Sequence, residues 1–265
     1  MGFTIVNWSP VHGQSNTTSN TTALSILYSL EQQTRNLLTH TQLQYSSMEF
    51  LLNRNNKDTT FVSSGVKAIE RLMKSRLLKA DSITDYTDTI LKNRLDLLGG
   101  SSEEIDGKLL QNVIEVSSNS YDLIWVDAHS GLRSQTTKDL LEKANVIFIH
   151  LPHNQFILDE FFNENGGVPE IIANRPHVFI ISQYNSNSSL NLKKIKRLYK
   201  LNNPVFGIPY SHSFKDATNQ QRVTEYLLKR SEINKKHEDF EYINSLKAIN
   251  QHLQKGIQME RERVY

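Results

Sequence analysis

A doubly wound α/β fold, with a mostly parallel sheet and helices on both faces, is what this sequence predicts, on three observations. Short apolar runs rich in β-branched residues recur along the chain, longer segments with helical spacing separate them, and most of the runs are continuous rather than alternating. Continuous runs are what strands covered on both faces require. The 265 residues suffice for one large domain or two small ones. With no Pro/Gly-rich linker and no internal repeat, one α/β domain over residues 1–230 is the simplest division, and residues 231–265 form a helical extension packed on it.

The strands are expected at residues 3–8, 36–41, 95–98, 122–127, 146–150, 177–183 and 204–208. Helical patterns lie between them at 18–32, 63–78, 82–92, 105–117, 136–144, 155–162, 190–201 and 219–229. In the 190–201 segment Leu190, Leu192, Ile195 and Leu198 are expected to face the sheet. In the last stretch, 232–263, Ile243, Leu246, Ile249, Leu253 and Ile257 recur every three or four residues, a stripe that has to be buried against the parent domain.

Composition excludes several classes. The chain is 38% hydrophobic and 22% charged, which supports a buried core and rules out wholesale disorder. Lys plus Arg exceeds Asp plus Glu by 30 − 28 = 2, so no global field draws nucleic acid or an anionic membrane, and any such contact is a local patch. With no cysteine there is no disulfide, thiolate metal site or cysteine nucleophile. Residues 1–8 lack a signal-peptide pattern, and no run approaches the ~20 apolar residues that span a bilayer, so a cytoplasmic protein without a transmembrane segment is expected.

Ligands in doubly wound sheets gather at the carboxyl ends of the strands, so the turns after the strands are where chemistry is sought. The first is the richest: Ser9-Pro10-Val11-His12-Gly13-Gln14-Ser15-Asn16-Thr17-Thr18-Ser19-Asn20 precedes an apolar helix. A strand, a compact polar loop and a helix N-terminus form an anion cradle, because unpaired N–H groups and the helix dipole converge there. The expected anion is a nucleotide phosphate.

This loop resembles the deviant phosphate-binding loop of the ParA/MinD group of P-loop ATPases, in which a strand leads into Lys-Gly-Gly-x-Gly-Lys-Thr-Thr and a helix. Laid on this chain the pattern begins at His12, keeps Gly13 and Thr18, and replaces the other glycines with Gln14 and Asn16. Later segments follow in the same order. Leu95-Asp96-Leu97-Leu98 resembles the strand before the magnesium aspartate, 121–132 with Asp127 the second signature, and Ala144 to Pro152 the strand after it. Phe179 to Asn185 and Val205 to Tyr210 resemble the base-contacting strand end and the proline loop near adenine. The resemblance covers essentially residues 1–230. It implies ATP held by His12, Gly13, Gln14, Ser15, Asn16, Thr17, Thr18 and Ser19, magnesium on Thr18 and Asp127, and a base beside Gln183, Asn185, Pro209 and Tyr210. It also implies a homodimer that positions plasmids, division proteins or pili through protein partners; the nearest flavour is the atypical localisation ATPases of Tad-type pilus secretion machines.

The departures bear on activity. Thr17 stands where the phosphate-binding lysine is expected, His12 replaces the lysine that reaches across the dimer, and the 39–44 stretch lacks the carboxylate that orients the attacking water. Losing such preorganised groups costs about 10²–10³ in rate each, so the expectation is nucleotide binding with slow or absent hydrolysis. Two alternatives stay open. One is a scaffold that binds no nucleotide and recruits partners. The other is a divalent-metal set built from Asp127, His129, His150 and His153. A basic cluster, Lys193, Lys194, Lys196, Arg197 and Lys200, is either a solvated face or a weak contact for DNA phosphates.

Overall fold

The computed structural model describes residues 2–41, 46–53, 65–75, 82–99, 107–164 and 167–264. In chain order the first half carries β1 (Phe3–Trp8), α1 (Thr17–Glu31), β2 (Asn36–His40), α2 (Met48–Leu51), α3 (Gly65–Lys74), β3 (Asp88–Leu91), β4 (Leu95–Leu98), α4 (Gly107–Ser117) and β5 (Leu123–Asp127). The second half carries α5 (Gln135–Lys143), β6 (Val146–Pro152), α6 (Gln155–Asp159), α7 (Glu170–Ala173), β7 (His177–Tyr184), α8 (Leu192–Leu198), β8 (Val205–Pro209), α9 (His212–Asn219), α10 (Val223–Arg230) and α11 (Phe240–Val264). The ends of the helices expected at 63–78 and 105–117, and the stretch 42–44, fall outside the described residues.

The eight strands form one sheet in the order β3-β4-β2-β5-β1-β6-β7-β8, parallel throughout except for β3 on β4. β1 is central: Asn7 is in register with Asp127 of β5 on one side and Phe148 of β6 on the other. The chain leaves β1 for β2 in one direction and later passes over it to β6 in the other, which places a crevice at the carboxyl end of β1.

Two apolar layers flank the sheet. One is built by α1, α2, α9, α10 and α11, with Ile5, Trp125 and Phe148 pointing into it; the other by α3, α4, α5, α6, α7 and α8, with Val6, Trp8, Val126 and Phe179. Successive residues of each strand alternate between two apolar layers, so the strands read as unbroken apolar runs. α1 is buried along residues 20–29 although it is rich in serine and threonine. It tolerates this because the hydroxyls bond its own carbonyls: Thr21 to Thr17 (2.8 Å), Thr22 to Thr18 (2.8 Å) and Ser29 to Ser25 (2.7 Å).

Four expectations are corrected. Residues 82–92 are not a helix: a 3-10 turn at Ser82–Tyr86 gives way to β3, and Asn93, at φ 60°, turns the chain back onto β4 as an antiparallel edge hairpin. The helix expected at 219–229 is two helices, because Gln221 takes a left-handed conformation (φ 58°) between α9 and α10. The 155–162 helix loosens after Asp159 into a π-turn at Glu160–Glu164. Leu198, expected to face the sheet, is 47% exposed, because the seven-residue α8 packs on the core through Ile195 and, in part, Leu192.

α11 lies along α1 and β8 and buries Ile243, Leu246, Ile249, Leu253 and Ile257, each at most 5% exposed. No helix among the described residues is long and apolar enough to cross a membrane. Since α11 covers the buried α1, Ile249→Ala opens a void in the main core. The expected loss is about 2–5 kcal/mol in urea unfolding. An unchanged midpoint would mean that α11 is a detachable appendage.

Candidate functional site

The loop between β1 and α1 is folded by its own hydroxyls. The Ser9 hydroxyl donates to the Val11 carbonyl (3.0 Å), accepts from the Val11 N–H (3.2 Å) and bonds the Ser15 hydroxyl (2.9 Å), which turns Ser15 inward to 1% exposure. Gly13 (φ 72°) and Asn16 (φ 49°) are left-handed, a conformation that glycine adopts without cost and asparagine tolerates. The loop after β5 clamps it from outside: Gly131 N–H donates to Ser9 O (2.9 Å) and the Trp8 indole donates to Gly131 O (2.9 Å).

Asn16 precedes α1 but does not cap it. Its side-chain oxygen instead accepts from the Gln183 amide (3.2 Å), and the first turn of α1 carries no acidic side chain. The N–H groups of that turn therefore lack a side-chain cap, and the positive end of a 15-residue helix meets the crevice. His12, Gly13, Ser15, Asn16, Thr17, Thr18, Ser19, Ser47 and Ser130 line a cleft of about 230 Å³ there. Neither lysine nor arginine is among them. Gln14 is exposed and is not among the residues that line this cleft. His12 sits at the rim, its ring stacked on His129 at 6.1 Å.

At the inner edge of the cleft the Thr18 hydroxyl donates to Asp127 Oδ2 at 2.6 Å, and Asp127 is fully buried at the end of β5. A hydroxyl and a carboxylate converging on one point are hard oxygen donors of the kind magnesium takes, so these two residues fit that ion and would hold it.

The base-side residues divide. Gln183, Pro209 and Tyr210 line a second, narrower cleft of about 60 Å³ together with Asn16, Ser19, Ser211, Phe214, Lys215, Thr218 and Tyr242. Asn185 does not reach it: its N–H donates to His153 Nδ1 (3.2 Å) and its side chain accepts from Asn187 N–H (3.0 Å), closing a turn of its own.

The histidine metal set is not assembled; no group of three or more such ligands occurs among the described residues. His153 Nε2 is spent on Leu190 O (2.7 Å) and His129 Nδ1 on Ser130 O (2.9 Å). His150 is buried in a polar network under the loop, with Nε2 donating to Asn7 Oδ1 (2.9 Å) and Nδ1 accepting from Asn20 (3.4 Å). Asn20 also donates to Ser182 Oγ (3.0 Å), so α1, β1, β6 and β7 are tied together.

Sequence reasoning missed Glu49. The 39–44 stretch indeed has no carboxylate, but α2 swings Glu49 over the end of β2, where Oε1 lies 2.7 Å from His40 Nε2. The only local signal is the pair of buried apolar residues around it, Met48 and Leu51, which pin α2 to the core. It missed Tyr242 as well, which reaches the base-side cleft from far along the chain.

No family model matches the chain, and no curated protein matches it. Solved structures do. A ParA family ATPase from Chlorobium tepidum superposes with a TM-score of 0.71 at 13% identity, over 95% of this chain and 100% of that one. MinD in a MinC:MinD complex from Aquifex aeolicus gives 0.72 at 16% identity, over 96% of each chain. MinD from Pyrococcus horikoshii, complexed with Mg-ADP, gives 0.69 at 14% identity, again over 96% of each. The fold is that of the ParA/MinD-type P-loop ATPases. Within this ParA/MinD-type frame identities so low carry the fold alone, and the side chains of the site stand on their own geometry.

His150 makes the frame pH-sensitive. Complete burial strips the imidazole of water and pulls its pKa down from 6.5 to about 3. Between those values the unfolded chain binds a proton that the folded chain refuses, so this contribution is intact above pH 6.5 and lost as pH falls toward 3. Each pH unit in that window costs about 1.4 kcal/mol. Wild type should lose about 2 kcal/mol between pH 6.5 and 5 beyond what His150→Gln loses. Parallel pH–stability curves would show His150 to be solvated.

Proposed function

We propose that the chain binds ATP with magnesium in the turn after β1 and acts as a homodimeric positioning or assembly factor for a pilus, secretion or partition machine, with little or no hydrolysis. The Thr18–Asp127 contact carries this reading. Two residues 109 positions apart meet at 2.6 Å beside an uncapped helix N-terminus. A cation seated between them would take over the role of the Thr18 proton, and the helix amides would take the phosphates. The Mg-ADP complex of the P. horikoshii protein supports a nucleotide on this fold, and the MinC:MinD complex supports a protein partner. Weak turnover would follow from a cleft with neither lysine nor arginine among its described lining residues, none of which can offset charge developing on the γ-phosphate as an ammonium group does.

One observation favours the rival scaffold reading. Ser9, Val11 and Ser15 bond one another and Thr18 bonds Asp127, so the contacts that shape the turn are made within the chain. Calorimetry with ATP, ADP and GTP plus magnesium separates the two. Saturable ATP binding that weakens at least tenfold in Thr18→Ala and in Asp127→Ala is expected, with Thr17→Lys tightening it. Flat titrations with all three nucleotides leave the scaffold.

For the outer surface, Lys193, Lys194, Lys196, Arg197 and Lys200 are all exposed on and just after α8, and none forms an ion pair with a described carboxylate. We read them as a face for DNA phosphates. Duplex binding should then fall with a log–log salt slope of about −4.5, near 0.9 for each of five phosphates. Binding indifferent to salt would remove this reading.

A further inference from the structure

The base-side cleft contains one polar group with nothing to do. Tyr242 lines it from α11 and is 3% exposed. Its hydroxyl, shut away from solvent, meets no hydrogen-bond partner among the described residues. Leaving a buried hydroxyl unsatisfied costs on the order of a full hydrogen bond, so native proteins rarely keep one without a use. The ring is held firmly. Phe214 packs on it at 4.8 Å and Tyr226 at 6.5 Å. The start of α11 is pinned to the proline loop by Asp239, which accepts from Ser211 Oγ (2.7 Å) and from Arg230 Nε (2.7 Å). Burial raises the phenol pKa well above its usual value, so the group stays a neutral O–H.

The other walls suit a flat heteroaromatic ring. Pro209 and Ile208 present apolar surface, and Gln183 presents an amide fixed by its bond to Asn16. Asn16, Gln183, Tyr210, which is 51% exposed, and Lys215 are the exposed residues of the lining, so the cleft opens to solvent on their side.

We propose that Tyr242 is a specificity-determining residue for the base, its hydroxyl donating to a ring nitrogen of adenine. This rests on the ATP-binding reading above, and it makes the C-terminal helix a wall of the site. Other residues define the phosphate end, so loss of the hydroxyl acts on the base alone.

Tyr242→Phe keeps the ring and its packing and deletes only the oxygen. Three measurements decide: calorimetry with ATP-Mg, calorimetry with inorganic tripolyphosphate-Mg, and the melting temperature of the free protein. The expected result is ATP affinity about tenfold weaker, the loss of one hydrogen bond, with tripolyphosphate affinity unchanged and the melting temperature equal or higher. ATP affinity equal to wild type overturns the proposal while leaving ATP binding in place. A parallel loss of tripolyphosphate affinity, or a lower melting temperature, makes the hydroxyl a structural group and also overturns it. Wild type that binds neither probe overturns the ATP-binding reading and this one together.

Discussion

The burial of α1 along residues 20–29 is the constraint on which the rest of this structure depends. A helix that starts at a ligand loop and then runs between a sheet and the covering helices cannot leave polar groups unpaired along its length. Its serines and threonines answer by bonding the preceding turn, and Asn20 answers by bonding β7 and the loop. The N-terminus of α1 is thereby fixed in space, and with it the direction in which its amides and dipole point. The anion cradle is a consequence of how the core is closed.

The same closure explains which substitutions the loop tolerates. Conformation at Gly13 and Asn16, the Ser9–Ser15 bond and the clamp from Gly131 hold the backbone, and none of these needs a cationic side chain. Geometry and charge are therefore separable here. A turn of this shape can therefore be kept with threonine, not lysine, at position 17.

How much of this was legible in the sequence follows from where each signal lives. Strands buried on both faces announce themselves as unbroken apolar runs, and 3–8 and 95–98 are placed to the residue. The edge hairpin at β3 was not legible, since a half-exposed strand such as Asp-Thr-Ile-Leu has no continuous run and its direction is set by Asn93 alone. The split of α9 from α10 turned on one backbone angle at Gln221, which composition does not encode. The contact of Thr18 with Asp127 follows from elements that were legible, since Asp127 ends β5 and Thr18 lies in the first turn of α1. Glu49 and Tyr242 were not, for they arrive from other elements by tertiary packing.

Whether amides suffice without an ammonium group is a question of magnitude. Hydrogen bonds to a charged acceptor contribute about 1.5–3 kcal/mol each, and a helix N-terminus adds about 0.3–1 kcal/mol, more where partly buried. Three such amides give roughly 5–9 kcal/mol, against about 4 kcal/mol for millimolar binding and about 8 for micromolar. After the cost of ordering the ligand, the phosphate end alone rests at the weak side of that range. A useful affinity would then have to come from elsewhere on the nucleotide: from a magnesium ion that Thr18 and Asp127 would hold, from Lys215, the one lysine among the described residues lining either cleft, and from the base. Weakening the phosphate grip thus shifts discrimination toward the base end, where α11 forms a wall. Under the ATP-binding reading, the helix that completes the core would also form a wall of the ligand cleft, and stability and nucleotide occupancy would be linked through one element.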